Sequence, residues 1–401
     1  MSERAPHIAG LTPLRGIAAL LVVVFHVDSI GMMFQLGPFL PTSGILSRGY
    51  LWVDFFFVLS GFVMSHVYGA DFREGVRLPA VRAFAGARFA RIVPMHVAAL
   101  AFTVLSHLAT PQGPEGGPGG KAPDPAMATM MAQMYDWKYL PGHLFLLLSF
   151  GLVPMSWNVP GWSIAAEWWT YFLTLPWYRA FHRARQWVPM AVALACCVGL
   201  GVLAGTHKSG RLDITFDLGL VRCLLGFTVG ICLHRFHRDG ITAWLLSSDT
   251  ALAVGALATL AVLHFPAPPD PLPMGKDGFP LPVPGTPIAD GLSPIAFSVL
   301  IGAVAANTGR GTRWLTARPL LVLGELSYAI YLMQSTAFAA YFGPAMAWRA
   351  GHPNGPMPIA FKLGLLALVL AITIGLAAVV HRWIEKPARR ALRARFGVPS
   401  A

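Results

Sequence analysis

The sequence predicts an all-α, polytopic membrane protein, a bundle of about ten transmembrane helices, and three observations carry that expectation. The 401 residues are 55% hydrophobic and only 12% charged, with a mean hydropathy of +0.58, which is too apolar for a soluble globular chain. Apolar runs recur near residues 11–31, 50–70, 92–110, 161–179, 187–205, 214–234, 242–264, 291–307, 319–343 and 359–381, each close to the roughly 20 residues that cross a bilayer core. Basic residues alternate in density between successive connections: of the 30 Lys and Arg, 21 fall on one side and eight on the other, with Arg222 inside a run. By the positive-inside rule the dense side is cytoplasmic and both termini lie there, in a bacterial cytoplasmic (inner) membrane. The net charge of +12 is thereby a topology signal, with anionic membrane lipids as a secondary partner, and implies no nucleic-acid binding.

Taken in order, the first run continues without an A-x-A cleavage pattern and reads as a retained span. After the third run, residues 111–126 are rich in Gly and Pro, and residues 265–290 carry nine prolines; both read as extended outer connections. Segment 140–155 is apolar but broken by Gly and Pro. Counting it as a span would move the Arg179–Arg185 cluster outside, so it reads as re-entrant or interfacial. Cys196, Cys197, Cys223 and Cys232 all lie in apolar runs and read as core residues, not as a disulfide framework or a metal site. The chain reads as one integral-membrane domain, 1–401, with its motifs between 11 and 387 and a short basic cytoplasmic tail, 388–401. The chemistry then falls to the bundle.

Two ionisable residues stand out in the first span. Arg15 and His26 are eleven residues apart, which is three helical turns plus about 20°, so both sit on one face, displaced by about 16 Å. Charged and titratable groups in hydrocarbon face a bundle interior or a substrate path; the plainer alternative makes Arg15 an inner-end anchor and His26 a packed polar residue.

Five patterns carry a resemblance: L-R-G-I-A-A-L-L-V-V-V-F-H (Leu14–His26), V-D-F-F-F-V-L-S-G-F-V (Val53–Val63), R-F-A-R-I-V-P (Arg88–Pro94), W-S-I-A-A-E (Trp162–Glu167) and G-E-L-S-Y-A-I-Y-L (Gly324–Leu332) with W-I-E-K-P (Trp383–Pro387). In this order and over this length the chain resembles the acyltransferase 3 family, polytopic enzymes that move acyl groups, commonly acetyl, onto hydroxyls of sugars and other acceptors. The resemblance implies ten helices and the stand-alone form, without the esterase-like extracytoplasmic domain that some members carry.

With the resemblance, roles follow. Transfer to an alcohol needs a base for the hydroxyl proton, and imidazole is suited to it near neutral pH, so His26 is the candidate catalytic residue. Whether it acts directly or first carries the acyl group stays open. Arg15, Arg88 and Arg91 gather at one end of the first and third spans and are candidates to hold the phosphates of acetyl-CoA or another acyl-CoA, a donor substrate, with no permanently bound cofactor and no metal. Glu167, expected at a depth comparable with His26, is the second catalytic candidate; it orients the imidazole, accepts a proton or binds a sugar hydroxyl, or else is a structural carboxylate paired with Arg222 or capped by Trp162 and Ser163. The family often has a second acid after this Glu, where this chain has Trp168. Trp162, Ser327, Tyr328, Tyr331 and Gln334 are acceptor-binding candidates, against a packing role for the hydroxyls; Gln334 stands where the family commonly has His. The expected activity is O-acylation of a cell-surface, exported or lipid-linked glycan, the alternatives being a small-molecule tailoring acyltransferase, for example on a macrolide-type sugar, and a transporter or flippase. A homo-oligomer is compatible with all three.

Overall fold

The computed structural model describes residues 6–33, 44–109, 129, 132–266, 285–352 and 357–396. Thirteen helices position the site and its surroundings: α1 Leu11–Met33, α2 Leu51–Phe72, α3 Leu78–Ala109, α4 Gly161–Leu173, α5 Leu175–Arg183, α6 Trp187–Thr206, α7 Gly219–Arg238, α8 Asp249–His264, α9 Thr286–Ala306, α10 Arg318–Ala337, α11 Ala339–Gly351, α12 Ile359–Val380 and α13 Lys386–Arg395. Among the described residues there is no strand. Such a chain satisfies its backbone groups within each helix, as hydrocarbon requires.

Among the described residues seven helices are long and apolar enough to cross a membrane, where ten were expected. The three other expected spans are helical but differ in length or polarity. Residues 161–179 divide at Thr174 into helices of 13 and nine residues, because Pro176 has no N–H to continue the first and suits the first turn of a new one. Residues 242–264 divide into Ile241–Leu246 and the 16-residue α8. The run at 319–343 becomes the 20-residue α10 followed by α11, and α10 carries Arg318, Glu325, Ser327 and Gln334. The protein is accordingly an all-helical integral membrane protein.

Segment 140–155 forms no helix long enough to span. It holds one five-residue helix, Leu140–Leu144, followed by turns with left-handed backbone at Leu146 (φ 56°) and Gly151 (φ 72°). The segment is tied back onto the bundle: Gly151 N–H donates to Phe216 O at 2.8 Å, Trp169 Nε1 to Leu146 O at 2.8 Å and Ser149 Oγ to Trp162 O at 2.5 Å. The connection 111–126 lies outside the described residues, as does most of 265–290.

Two close helix crossings fix the interior. Helices α2 and α7 meet where a Cβ on Gly61 would overlap the Phe227 carbonyl and one on Gly230 the Val58 carbonyl. Helices α1 and α10 meet where a Cβ on Gly324 would overlap the Thr12 carbonyl. Between membrane helices, where lipid supplies no hydrophobic drive, such backbone approach gives the packing energy. All four cysteines are buried and free. The basic tail is ordered as α13 and rests on α3, with Phe396 against Gly86 and in edge contact with Phe89; residues 397–401 lie outside the described part.

Candidate functional site

His26 sits in α1 with its Nδ1 2.9 Å from the carbonyl of Val22, one turn back. A carbonyl only accepts, so Nδ1 carries the proton and the neutral ring keeps its lone pair on Nε2. That is the tautomer of a base. The ring lies between Phe25 and Phe338, at centroid separations of 5.1 and 6.0 Å, and the Gln334 side chain approaches it.

Glu167 is elsewhere. Its Oε1 accepts a short hydrogen bond from Ser60 Oγ, which also lies 3.4 Å from Tyr171 Oη. Its charge is felt by Arg15 and Arg88, not by His26, so direct orientation of the imidazole does not follow from the contacts. The pairing of Glu167 with Arg222 is not formed, because Arg222 belongs to Asp54. Arg222 Nε and Nη2 meet Asp54 Oδ1 and Oδ2 at 2.9 and 2.6 Å, the remaining donors reach Ile214 O and Tyr50 O, and the guanidinium lies over the Trp162 ring at 5.3 Å. Both side chains are wholly buried. A fork-to-fork pair with every nitrogen satisfied is how an ion pair tolerates burial.

The three candidate arginines gather as expected but in different states. Arg15 is half-buried, makes no hydrogen bond or ion pair among the described residues, and lies within electrostatic reach of Arg91, Glu167 and Glu385. Arg88 donates to Tyr68 Oη at 3.0 Å and stands over the Tyr68 ring. Arg91 pairs with Glu385 at 2.6 Å and stands over the Tyr328 ring at 5.4 Å. Glu385, 1% exposed, is brought inward because the end of α12 widens into a π-turn over His381–Glu385; it accepts from His381 Nδ1 at 2.7 Å and lies 3.9 Å from Arg389. Such turns recur at functional sites.

The polar stripe on α10 divides. Tyr331 Oη meets Ser163 Oγ at 2.7 Å, and Gln334 Nε2 donates to Tyr331 O at 2.7 Å. Tyr328 turns away, donating to Ile92 O at 3.1 Å. Gln334 Oε1 and Ser327 Oγ are buried without a hydrogen-bond partner among the described residues. Trp162 is core, in edge contact with Phe57 and beneath Arg222. The geometry thus brings Gln334 to His26 and joins Tyr331 to Ser163, while Trp162 and Tyr328 hold helices together.

Ser60, Tyr68 and Glu385 are the neighbours that residue types alone did not single out. Ser60 and Glu385 lie inside the quoted V-D-F-F-F-V-L-S-G-F-V and W-I-E-K-P patterns, so the signal was present as motif but not as pairing.

The acyltransferase domain family matches residues 8–377. Acyltransferase MdmB of Streptomyces mycarofaciens is 27% identical over 433 residues, covering 100% of this chain and 96% of its own. O-acetyltransferase OatA of Staphylococcus aureus is 21% identical over 96% of this chain and 57% of its own length. Protein 2 in the picA locus of Rhizobium radiobacter is 42% identical over 91 residues, 23% of this chain and 41% of that one. No solved structure matches.

Proposed function

The chain belongs to the acyltransferase 3 family, and from that premise we propose that this O-acyltransferase moves an acetyl group from cytoplasmic acetyl-CoA to a hydroxyl of a sugar or glycan. The observation that carries the reading is the His26 tautomer: Nδ1 bound to Val22 O leaves Nε2 as acceptor, three turns along one helix from an arginine with no protein partner among the described residues.

In the reaction, Nε2 of His26 takes the acceptor hydroxyl proton as the oxygen attacks the thioester carbonyl. The C–S bond breaks, and the imidazolium returns the proton to the leaving thiolate. Arg15 and Arg88 bind the donor phosphates through their planar forks. Arg91 serves them from its pair with Glu385. Glu167, held by Ser60, keeps Arg15 in place and is a positioning residue rather than the partner of His26. Gln334 and the Tyr331–Ser163 pair meet the acceptor. The 16 Å rise along α1, at about 1.5 Å per residue, is a span that a pantetheine arm can bridge, so the phosphates stay at the basic end while the acyl carbon reaches His26.

In this reading the chain is one membrane domain of ten crossings, three of them made by the shorter or more polar helices, with both termini in the cytoplasm and the membrane the bacterial inner one. The test is mass spectrometry of surface polysaccharide, lipid-linked sugars and small glycosides from cells with and without the protein. A 42 Da increment on a sugar hydroxyl that needs the protein is expected; identical glycan and glycoside spectra overturn the acceptor class.

A further inference from the structure

A cavity of about 360 Å³ opens at the end of the bundle where α2 and α7 finish and α5 crosses them. It is not part of the arginine cluster of the donor site. On α2 the residues facing Arg88 are Met64 and Tyr68, whereas Ser65, His66 and Gly69, with Arg73 just past its end, line the cavity. At 100° per residue the two sets are centred about 135° apart around the helix axis, so α2 separates the cavity from the Arg88 contacts.

The lining is cationic and has no acid. Arg73, Arg235 and Arg238 line it with Tyr178, Phe181, Ile231 and four histidines; His66 Nε2 is committed to Pro6 O and His237 Nδ1 to Thr242 Oγ1, each at 2.8 Å. The carboxylates near it lie outside: Asp239 pairs with Arg235 and Arg238, and Glu74 stands 3.8 Å from Arg73. Arg235 is held rigid, donating to the Phe181 carbonyl at 3.0 Å. Half-buried His234 makes no hydrogen bond among the described residues, although it is ringed by His66 and Phe62. Arg238 donates to Nδ1 of His182, whose imidazole is kept below the usual histidine range by its partial burial and by Arg238, Arg73 and Arg235 beside it. His182 therefore adds a neutral donor to the rim rather than a further charge.

The histidines do not converge as metal ligands. His66 lies edge-on to His234 and His237 at centroid separations of 5.6 and 6.4 Å, and no trio among the described residues is arranged for an ion. Arginine forks around the imidazole of His234, which has no hydrogen-bond partner among the described residues, with aromatic side chains beside them and a volume within the ordinary range of ligand pockets, instead suit a phosphate ester. We propose that this cavity is a second anion site, one that binds a phosphomonoester or diphosphate group independently of the arginines assigned to the acyl donor.

Two sources can bring that group, a soluble phosphate compound or a phospholipid headgroup, since the cavity lies at the helix ends. The experiment uses the full chain in phosphatidylcholine nanodiscs with saturating CoA present, which in the proposed function occupies Arg15, Arg88 and Arg91. Pyrophosphate is titrated in one arm by calorimetry; in the other, phosphatidic acid is introduced into the disc and retained lipid is counted by native mass spectrometry. Arg73→Gln and Arg238→Gln, both exposed rim positions, are compared with Arg313→Gln on the distant helix Arg310–Leu315.

A soluble source predicts saturable pyrophosphate binding that weakens about tenfold in each rim variant, one charge-assisted pair being worth roughly that factor. A lipid source predicts retained phosphatidic acid that the rim variants lose. Either result supports the site. Binding in neither arm, or binding equal in the rim variants and Arg313→Gln, overturns it. Failure of the donor reading would show separately, as no binding of CoA.

Discussion

In the proposed function His26 carries the chemistry through one hydrogen bond. With Nδ1 committed to Val22 O, the ring cannot switch tautomer without losing a bond inside an apolar helix bundle. His26→Ala is expected to lower acyl transfer by about 10²- to 10⁴-fold, the usual contribution of a positioned general base, while expression and melting temperature stay near the parent's. His26→Gln presents an amide without a base and should be as inactive. At the other end, Glu385 is buried between Arg91 and His381. Removing one member of a buried pair leaves the other charge uncompensated at a cost of about 3–5 kcal/mol, so Glu385→Ala should lower the melting temperature markedly. Arg15→Ala, whose guanidinium has no hydrogen-bonded or ion-paired partner among the described residues, should leave stability unchanged and raise KM for acetyl-CoA. Thermal unfolding and steady-state kinetics on the two variants separate scaffold from donor binding; an equal loss of stability in both would assign Arg15 to structure.

At the scale of elements, the glycines explain why two of the motifs read as they do. Gly61 and Gly324 permit the α2–α7 and α1–α10 crossings by letting backbone meet backbone. The second crossing joins the helix that bears His26 to the helix that bears Gln334 and Tyr331. Gly324→Val is expected to part them and abolish activity without touching a polar group, visible as early elution or aggregation in detergent; a monodisperse, active Gly324→Val protein would show that the crossing tolerates a wider spacing. The sequence made much of this legible. The apolar runs, the eleven-residue spacing of Arg15 and His26, and the clustering of Arg15, Arg88 and Arg91 follow from composition, helical period and charge. What it did not disclose were partnerships between helices distant in the chain: Asp54 with Arg222, Ser60 with Glu167, Arg91 with Glu385. Hydropathy marks which residues enter the membrane, but not which of their faces meet. For the same reason the sequence offered Glu167 several partners and roles without naming Ser60, whose hydroxyl it accepts from. The three expected spans that are shorter or more polar were drawn from hydropathy averages, which cannot register a break at Thr174–Pro176.

Over the whole molecule, the basic groups and the imidazole are separated along α1. In the proposed function basic groups hold the donor at one end of the bundle and the His26 imidazole waits along the same helix, so the acyl group crosses while the charge does not. The α13 helix, lying on α3 through Phe396, braces the donor end; truncation before Lys386 should weaken donor binding more than it slows the chemical step, which pre-steady-state kinetics would separate. The most direct test is single-turnover consumption of radiolabelled acetyl-CoA by purified protein in liposomes, parent against His26→Ala, with folding verified by thermal melting. The account predicts that the parent releases CoA and transfers label to a hydroxylated acceptor, and that the folded His26→Ala protein still binds acetyl-CoA but transfers at least about a hundredfold more slowly. Transfer at the parental rate by folded His26→Ala protein would contradict it.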